Sequence, residues 1–164
     1  MKKRTVGVIG HRDIVQTFEL KKDIKQLFMN LYSKNEEVKL LSPLADGADR
    51  LVADIYLEVF KEKAKLIVPL PFNVHRYMED FNSKSKEEFK AYLKIAEDVI
   101  EVENTQGCNY RSVGVYVVDK SNILLALWDG TFNHKSGGTG DIVEYARDEE
   151  KEVVHFVCKR FFMK

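Results

Sequence analysis

The chain has 164 residues, 45% of them apolar and 32% charged. That is enough for one domain spanning 1–164 with a substantial core, and it is the balance of a globular, water-facing protein. Its 26 basic and 26 acidic residues cancel, which argues against a general pull toward nucleic acid or an anionic membrane, although a local basic patch stays open. No apolar run approaches the roughly 20 residues needed to cross a bilayer, and the stretch after Met1-Lys2-Lys3-Arg4 is too short for a signal-peptide core. Cys108 and Cys158 are far apart without metal-ligand spacing, so they read as free thiols of a cytoplasmic protein.

In chain order, residues 5–10 are a Val/Ile-rich strand ending in Gly10. Thr17 caps a helix to about Tyr32, whose Leu20, Ile24, Leu27, Phe28 and Leu31 share one face. A second strand spans 38–41, and a second helix spans 48–60 with Leu51, Val52, Ile55 and Val59 inward. A third strand spans 65–70 and is stopped by Pro69 and Pro71. Residues 72–82 read as irregular and aromatic. Ser85 and Glu88 form a capping box for a helix to about Asp98, followed by a short strand over 99–102.

Residues 110–119 fit two patterns. Val113, Val115 and Val117 alternate as in a strand, yet Val113, Tyr116 and Val117 also share a helical face. Helix is preferred, because a parallel sheet needs a crossover before the apolar strand 123–128. A helix over 140–149, a strand over 152–158 and a short basic tail, Lys159 to Lys164, complete the order. Strands that alternate with helices and are apolar throughout predict an α/β, Rossmann-like, doubly wound, mostly parallel sheet with helices on both faces. In such folds ligands bind beyond the carboxyl ends of the strands, where strand order reverses.

The loops at those ends hold the candidate chemistry. Gly10-His11-Arg12 closes the first strand; Arg12 can grip phosphate in a fork, or the turn is simply solvated. Between the second strand and helix, Ala45, Gly47 and Asp49 form a turn in which Asp49 either caps the helix or holds a ribose hydroxyl. Asp129 and Gly130 end the fifth strand, as pocket wall or as plain turn. Gly137-Gly138-Thr139-Gly140-Asp141 then opens a helix, a geometry suited to an anion because first-turn N–H groups are free to point at it. No Gly-Lys-Ser/Thr follows, so this is not a Walker loop, and Gly7-Val8-Ile9-Gly10 has the wrong spacing for a dinucleotide fingerprint. Glu144, one turn into the helix, either reaches back to the ligand as base or sugar acceptor or is an exposed helical Glu. Phe72, His75 and Tyr77 either lid the site or pack beneath a loop.

The Gly10-His11-Arg12 turn, the run Ser42 to Asp49, the run Val118 to Gly130 and Gly137 to Glu144 together resemble the SLOG group, named for the Smf (DNA-processing protein A) relatives and the lonely-guy phosphoribohydrolases. The resemblance covers roughly residues 5–158. It implies a Rossmann-like fold that binds nucleotides or nucleotide-derived ligands, and it supports the helical reading of 110–119. Several members of the group act as bacterial sensor domains in signalling systems.

The lonely-guy enzymes carry Pro-Gly-Gly-x-Gly-Thr-x-x-Glu and cleave the bond between base and ribose 5-phosphate. The matching stretch here keeps Gly137, Gly138, Gly140 and Glu144 but has Ser136 for Pro and Asp141 for Thr. Asp141 puts a carboxylate where a terminal phosphate would lie, and the two repel. Two expectations follow from the resemblance. One is a stand-alone binder of a nucleotide or nucleotide-derived small ligand, serving as a sensor. The other is a nucleotide N-glycosidic hydrolase with Glu144 catalytic and Arg12 or Arg111 on the phosphate. No metal site is expected, and no cofactor beyond such a ligand. Nucleic acid is not expected as a partner on the neutral charge, and homo-oligomerisation is compatible with the sequence.

Overall fold

The computed structural model describes residues 2–161; of the basic tail, residues 162–164 lie outside that range. Six strands form one all-parallel sheet in the order β4-β3-β2-β1-β5-β6. They are β1 (Lys3–Gly10), β2 (Glu37–Leu41), β3 (Lys65–Leu70), β4 (Asp98–Glu101), β5 (Ile123–Trp128) and β6 (Glu152–Val157). The helices are α1 (Phe18–Ser33), α2 (Ala48–Phe60), α3 (Val74–Met78), α4 (Ser83–Ile95), α5 (Asn109–Lys120) and α6 (Thr139–Asp148). The sheet is α/β and Rossmann-like, as the alternation of elements predicts. One apolar cluster packs α1, α2 and Phe89 of α4 on one face, and a smaller cluster packs α5 and α6 on the other. Strand order reverses between β1 and β5, so the crevice forms beside the carboxyl ends of these two strands.

Thr17 caps α1 as expected, its hydroxyl accepting from the Leu20 N–H at 3.1 Å. The prolines end β3 where the sequence suggests. Pro69 lies beyond the last register pair with β2, Leu41 with Ile67, where a missing N–H costs the ladder nothing on that side. Three expectations are corrected. Residues 72–82 are not wholly irregular, because Asn73 caps the short helix α3 by accepting from the Arg76 N–H at 3.0 Å. The cap of α4 is Asn82, which accepts from the Ser85 N–H at 2.8 Å. Ser85 and Glu88 instead serve the β2–α2 turn: the Ser85 hydroxyl donates to Asp46 at 2.7 Å, and Glu88 lies 3.5 Å from Arg50. Finally, α4 stops at Ile95, because Ala96 is extended and the Glu97 N–H joins the Leu66 carbonyl to open β4.

Residues 109–120 are helical, and the reason the pattern looked double is visible. α5 packs on the sheet and is flanked by α6, so Val113, Val115, Val117 and Val118 are all buried. Gly114 lets α5 approach α6, since a Cβ there would press on Ile142.

Candidate functional site

Each helix that follows a strand starts at the carboxyl edge of the sheet, so the β1–α1, β2–α2 and β5–α6 loops and the first turn of α5 converge. They enclose two adjoining cavities that share Gly10, Arg12, Tyr110, Gly137 and Thr139. The smaller, about 130 Å³, runs down between β1, α5 and the β2–α2 turn and includes Ala45, Asp49 and Tyr77. The larger, about 770 Å³, opens outward along His11, Lys135 and the glycine loop, with Asp80 and Arg160 on its rim.

Gly10 is required by packing, because a Cβ there would run into Ala48 and would lie 2.7 Å from the Leu127 carbonyl. His11 does not face the ligand space as a free group. Its Nε2 accepts from the Asp129 N–H at 3.2 Å, and burial holds its pKa below the ordinary value, so it ties the ends of β1 and β5 together as a neutral ring. Arg12, by contrast, is exposed and lines both cavities. It lies 6.0 Å over the Tyr110 ring and enters no ion pair among the described residues.

The β2–α2 turn is buried and wired from within. Gly47 has φ +83°, and a Cβ on it would collide with the Arg12 carbonyl, so only glycine lets the two turns touch. Ser42 donates to the Asp49 carbonyl at 3.0 Å, and Arg50 donates to the Leu44 carbonyl at 2.9 Å. The Asp49 carboxylate accepts from the Ala45 N–H at 3.1 Å and is only 7% exposed. Burial pushes its pKa up to about 7, against the pull of the Ala45 N–H and of the Arg12 and Arg50 charges.

The glycine loop is partly committed. The Gly137 N–H donates to the Asp141 carboxylate at 2.8 Å, and the Gly138 N–H donates to the Lys135 carbonyl at 3.0 Å. Asp141 also takes Arg111, at 3.1 Å. The N–H groups of Thr139, Gly140 and Asp141, the first turn of α6, donate to no group among the described residues. Three donors at a helix start, together with the positive end of its dipole, remain for an anion. Gly137 sits at φ +78° with the Arg111 nitrogen 2.8 Å from any added Cβ, which fixes the loop against α5.

Not every candidate reaches the cleft. Asp129 accepts from the Thr131 N–H and hydroxyl at 3.0 and 2.8 Å and lies beside His11, and neither it nor the exposed Gly130 lines either cavity. Glu144 is exposed and lines a separate depression outside the loop, with Arg111, His134, Asp141 and Arg147. Of the aromatic group, His75 is exposed. Tyr77 is buried against Phe81 and Phe89, with ring centroids 5.1 and 5.6 Å away, yet it also lines the small cavity. Sequence reasoning missed Tyr110, Pro43, Lys135 and Asn133 as cleft residues. Tyr110 had a usable signal, since a helix that leads to a parallel strand must begin at the carboxyl edge.

No protein-family model matches the chain, and no curated protein matches it significantly. Solved structures do. DNA processing protein A from Streptococcus pneumoniae aligns with a TM-score of 0.62 at 16% identity over 93% of this chain, which spans 50% of that protein. The Helicobacter pylori protein of the same name, described with a single-stranded DNA binding mode, aligns at 0.58 and 16% over 98% of this chain and 68% of its own. The molybdenum cofactor binding protein of Rippkaea orientalis aligns at 0.54 and 19%, over 94% of this chain and 77% of its own. With a DNA-binding protein among these neighbours, the exclusion of nucleic acid on net charge finds no support. The shared feature is architecture: this chain has the Rossmann-like fold of these proteins.

Proposed function

We propose that the chain binds a nucleotide or nucleotide-derived small ligand in this cleft and serves in the cytoplasm as a sensor of it, as one self-contained domain. The observation that carries this reading is the first turn of α6. Its Thr139, Gly140 and Asp141 N–H groups have no partner among the described residues, and Thr139 and Gly140 border the same space as the Arg12 guanidinium, which enters no ion pair there. Backbone donors and a fork-shaped cation around one opening suit a phosphate. Tyr110 offers a ring face at the junction of the two cavities, where a base or sugar could rest. The molybdenum cofactor binding protein among the structural neighbours is a small-ligand binder on the same fold, which lends the reading support by analogy.

The hydrolase alternative relied on Glu144 at the sugar. Glu144 lines the outer depression and not the cleft, so binding without turnover has the stronger geometric support. Thermal unfolding against ribonucleoside mono-, di- and triphosphates tests the proposal. A cognate ligand at 100 times its Kd adds about 2.7 kcal/mol by mass action, a rise of several degrees in Tm. Arg12→Ala should abolish the shift relative to its own unliganded Tm, which is measured alongside because Arg12 also lies over Tyr110 and pulls on Asp49. A panel that moves the Tm of neither protein sinks the reading.

A further inference from the structure

The carboxylates near the cleft differ in where they stand, since Asp80 and Asp13 line the outer space, Asp141 lines the depression beyond the loop, and Asp129 lines neither cavity. Asp80 accepts from the Tyr110 hydroxyl at 2.6 Å, Asp13 from Arg160 at 2.8 Å, and Asp141 from both Gly137 and Arg111. Asp129 takes both donors of Thr131. Asp49 is set apart by its place on the inner cavity. Its Oδ2 accepts from the Ala45 N–H, its Oδ1 has no donor among the described residues, and the side chain lines the 130 Å³ cavity. That oxygen is not sealed in by protein, so it opens to the cavity and is an acceptor there for a ligand donor.

The position of this oxygen constrains the ligand. Thr139 and Gly137 close the same cavity from the α6 side, so an anion on the α6 amides and a donor on Asp49 belong to one molecule. The surrounding wall is apolar at Val8, Val113, Val117 and Ile142, which leaves Asp49 as its carboxylate. A cavity of this size admits a small hydroxylated ring and not a whole nucleotide, and the 770 Å³ space beside it takes the remainder.

We propose that Asp49 is the specificity-determining residue of the cleft: its free Oδ1 accepts from a ribose hydroxyl of a ligand whose phosphate lies on the α6 amides, so the site selects ribose over sugars lacking the 2′,3′-diol. This rests on the reading of the cleft as a nucleotide site. The charged and titratable groups facing Asp49 are Arg12 from the β1–α1 loop, Arg50 on α2 and Tyr77 on α3. Tyr77 is pushed by burial well above its ordinary pKa and stays neutral. Asp49 is therefore the group that titrates near neutrality, and selection is strongest where it is ionised. Its pKa of about 7 in the empty cleft makes the binding of a hydroxyl donor release a proton.

The test measures Kd for the four ribonucleoside 5′-monophosphates and their 2′,3′-dideoxy counterparts, at pH 5.5 and pH 8.5, on the wild type and Asp49→Asn. A hydrogen bond from a hydroxyl to a charged acceptor corresponds to roughly tenfold or more in affinity. The wild type should prefer the ribose form by at least that factor at pH 8.5 and by much less at pH 5.5. Asp49→Asn keeps an oxygen for the Ala45 N–H and should show a weak preference that does not change with pH. The wild-type pH series stands by itself if the variant folds poorly. Ribose and dideoxy forms bound within twofold at pH 8.5, or an undiminished preference in Asp49→Asn, overturns this inference and leaves the nucleotide reading intact. Failure of every monophosphate to bind overturns both.

Discussion

The β2–α2 turn and the β5–α6 loop follow the same plan of strand, glycine turn and helix start, yet they are built oppositely. The first is buried, and its polar groups bond one another: Ser42, Asp49 and Arg50 are each less than a tenth exposed. The second stands in solvent from Thr131 to Ser136 and leaves three helix-start amides without a partner among the described residues. The difference separates two ways of making a binding group. A buried turn fixes one titratable side chain at a set position and pays in desolvation. An exposed loop offers backbone dipoles that need no proton and carry no net charge.

The largest expected effect contrasts the glycines of the two turns. Gly47→Ala combines a φ of +83° with a collision against the Arg12 carbonyl, and should destabilise by about 3–5 kcal/mol. Gly130→Ala has a comparable φ of +89° but open space around the new methyl, so strain alone remains, roughly 1 kcal/mol. Urea unfolding of the two variants measures both. Equal losses would mean that the contact between the β1–α1 and β2–α2 turns contributes nothing.

Next comes Asp49. Its pKa of about 7 in the folded chain lies above the ordinary carboxylate value of 3.8, so between these values the folded state binds more protons than the unfolded one. Stability therefore falls as pH rises from about 4 to 7 and levels off above that. Asp49→Asn removes the ionisation, and the unliganded variant should be more stable than the wild type at pH 8 by roughly 2–4 kcal/mol, with a flatter profile between pH 4 and 7. Thermal unfolding across that range checks the sign. A variant less stable at pH 8 than the wild type would show that the buried charge is better compensated than its surroundings indicate.

On the exposed loop the effects are smaller and oppose one another. Asp141→Asn keeps an oxygen for the Gly137 N–H but gives up the partly exposed pair with Arg111, a loss of about 0.5–1 kcal/mol. Removing a negative charge from the first turn of α6 should at the same time tighten a nucleoside monophosphate about three- to tenfold in low salt, less at high salt. Calorimetric titration at two ionic strengths distinguishes this from a purely structural role, which would leave affinity where it was.

The two turns also mark where the sequence is informative. The bounds of α2, β3 and β5 follow directly from apolar runs, glycines and prolines, because these elements are punctuated by residues whose local physics leaves one option. α5 had two readings, since burial against both the sheet and α6 removes the polar face that gives a helix its period. The site was legible as a set of loops but not as a set of facing side chains. Asp49 and Glu144 sit alike in sequence, each in or just beyond the first turn of a helix after a glycine turn. Only the packing of α6 decides that Glu144 turns outward, while the contact of α2 with the β1–α1 loop turns Asp49 in. Tyr110 and Lys135 reach the cleft from segments that carry no motif of their own.

That comparison yields the smallest predicted effect and the one most at odds with the motif. Glu144 is solvent-exposed on α6 and lines the outer depression. Glu144→Ala should change stability by less than about 0.5 kcal/mol, as surface substitutions do. Nucleotide affinity should stay within twofold of the wild type, because no ligand on the α6 amides and Asp49 touches it. A catalytic role would require the opposite, a loss of turnover of about a hundredfold or more on removing the acid or base. Chromatographic assay for free base released from nucleoside monophosphates, run on the wild type and on Glu144→Ala, decides the matter. Base released by the wild type and not by the variant would mean that α6 rotates or shifts to bring Glu144 into the cleft, and the division of labour between the two turns would have to be redrawn.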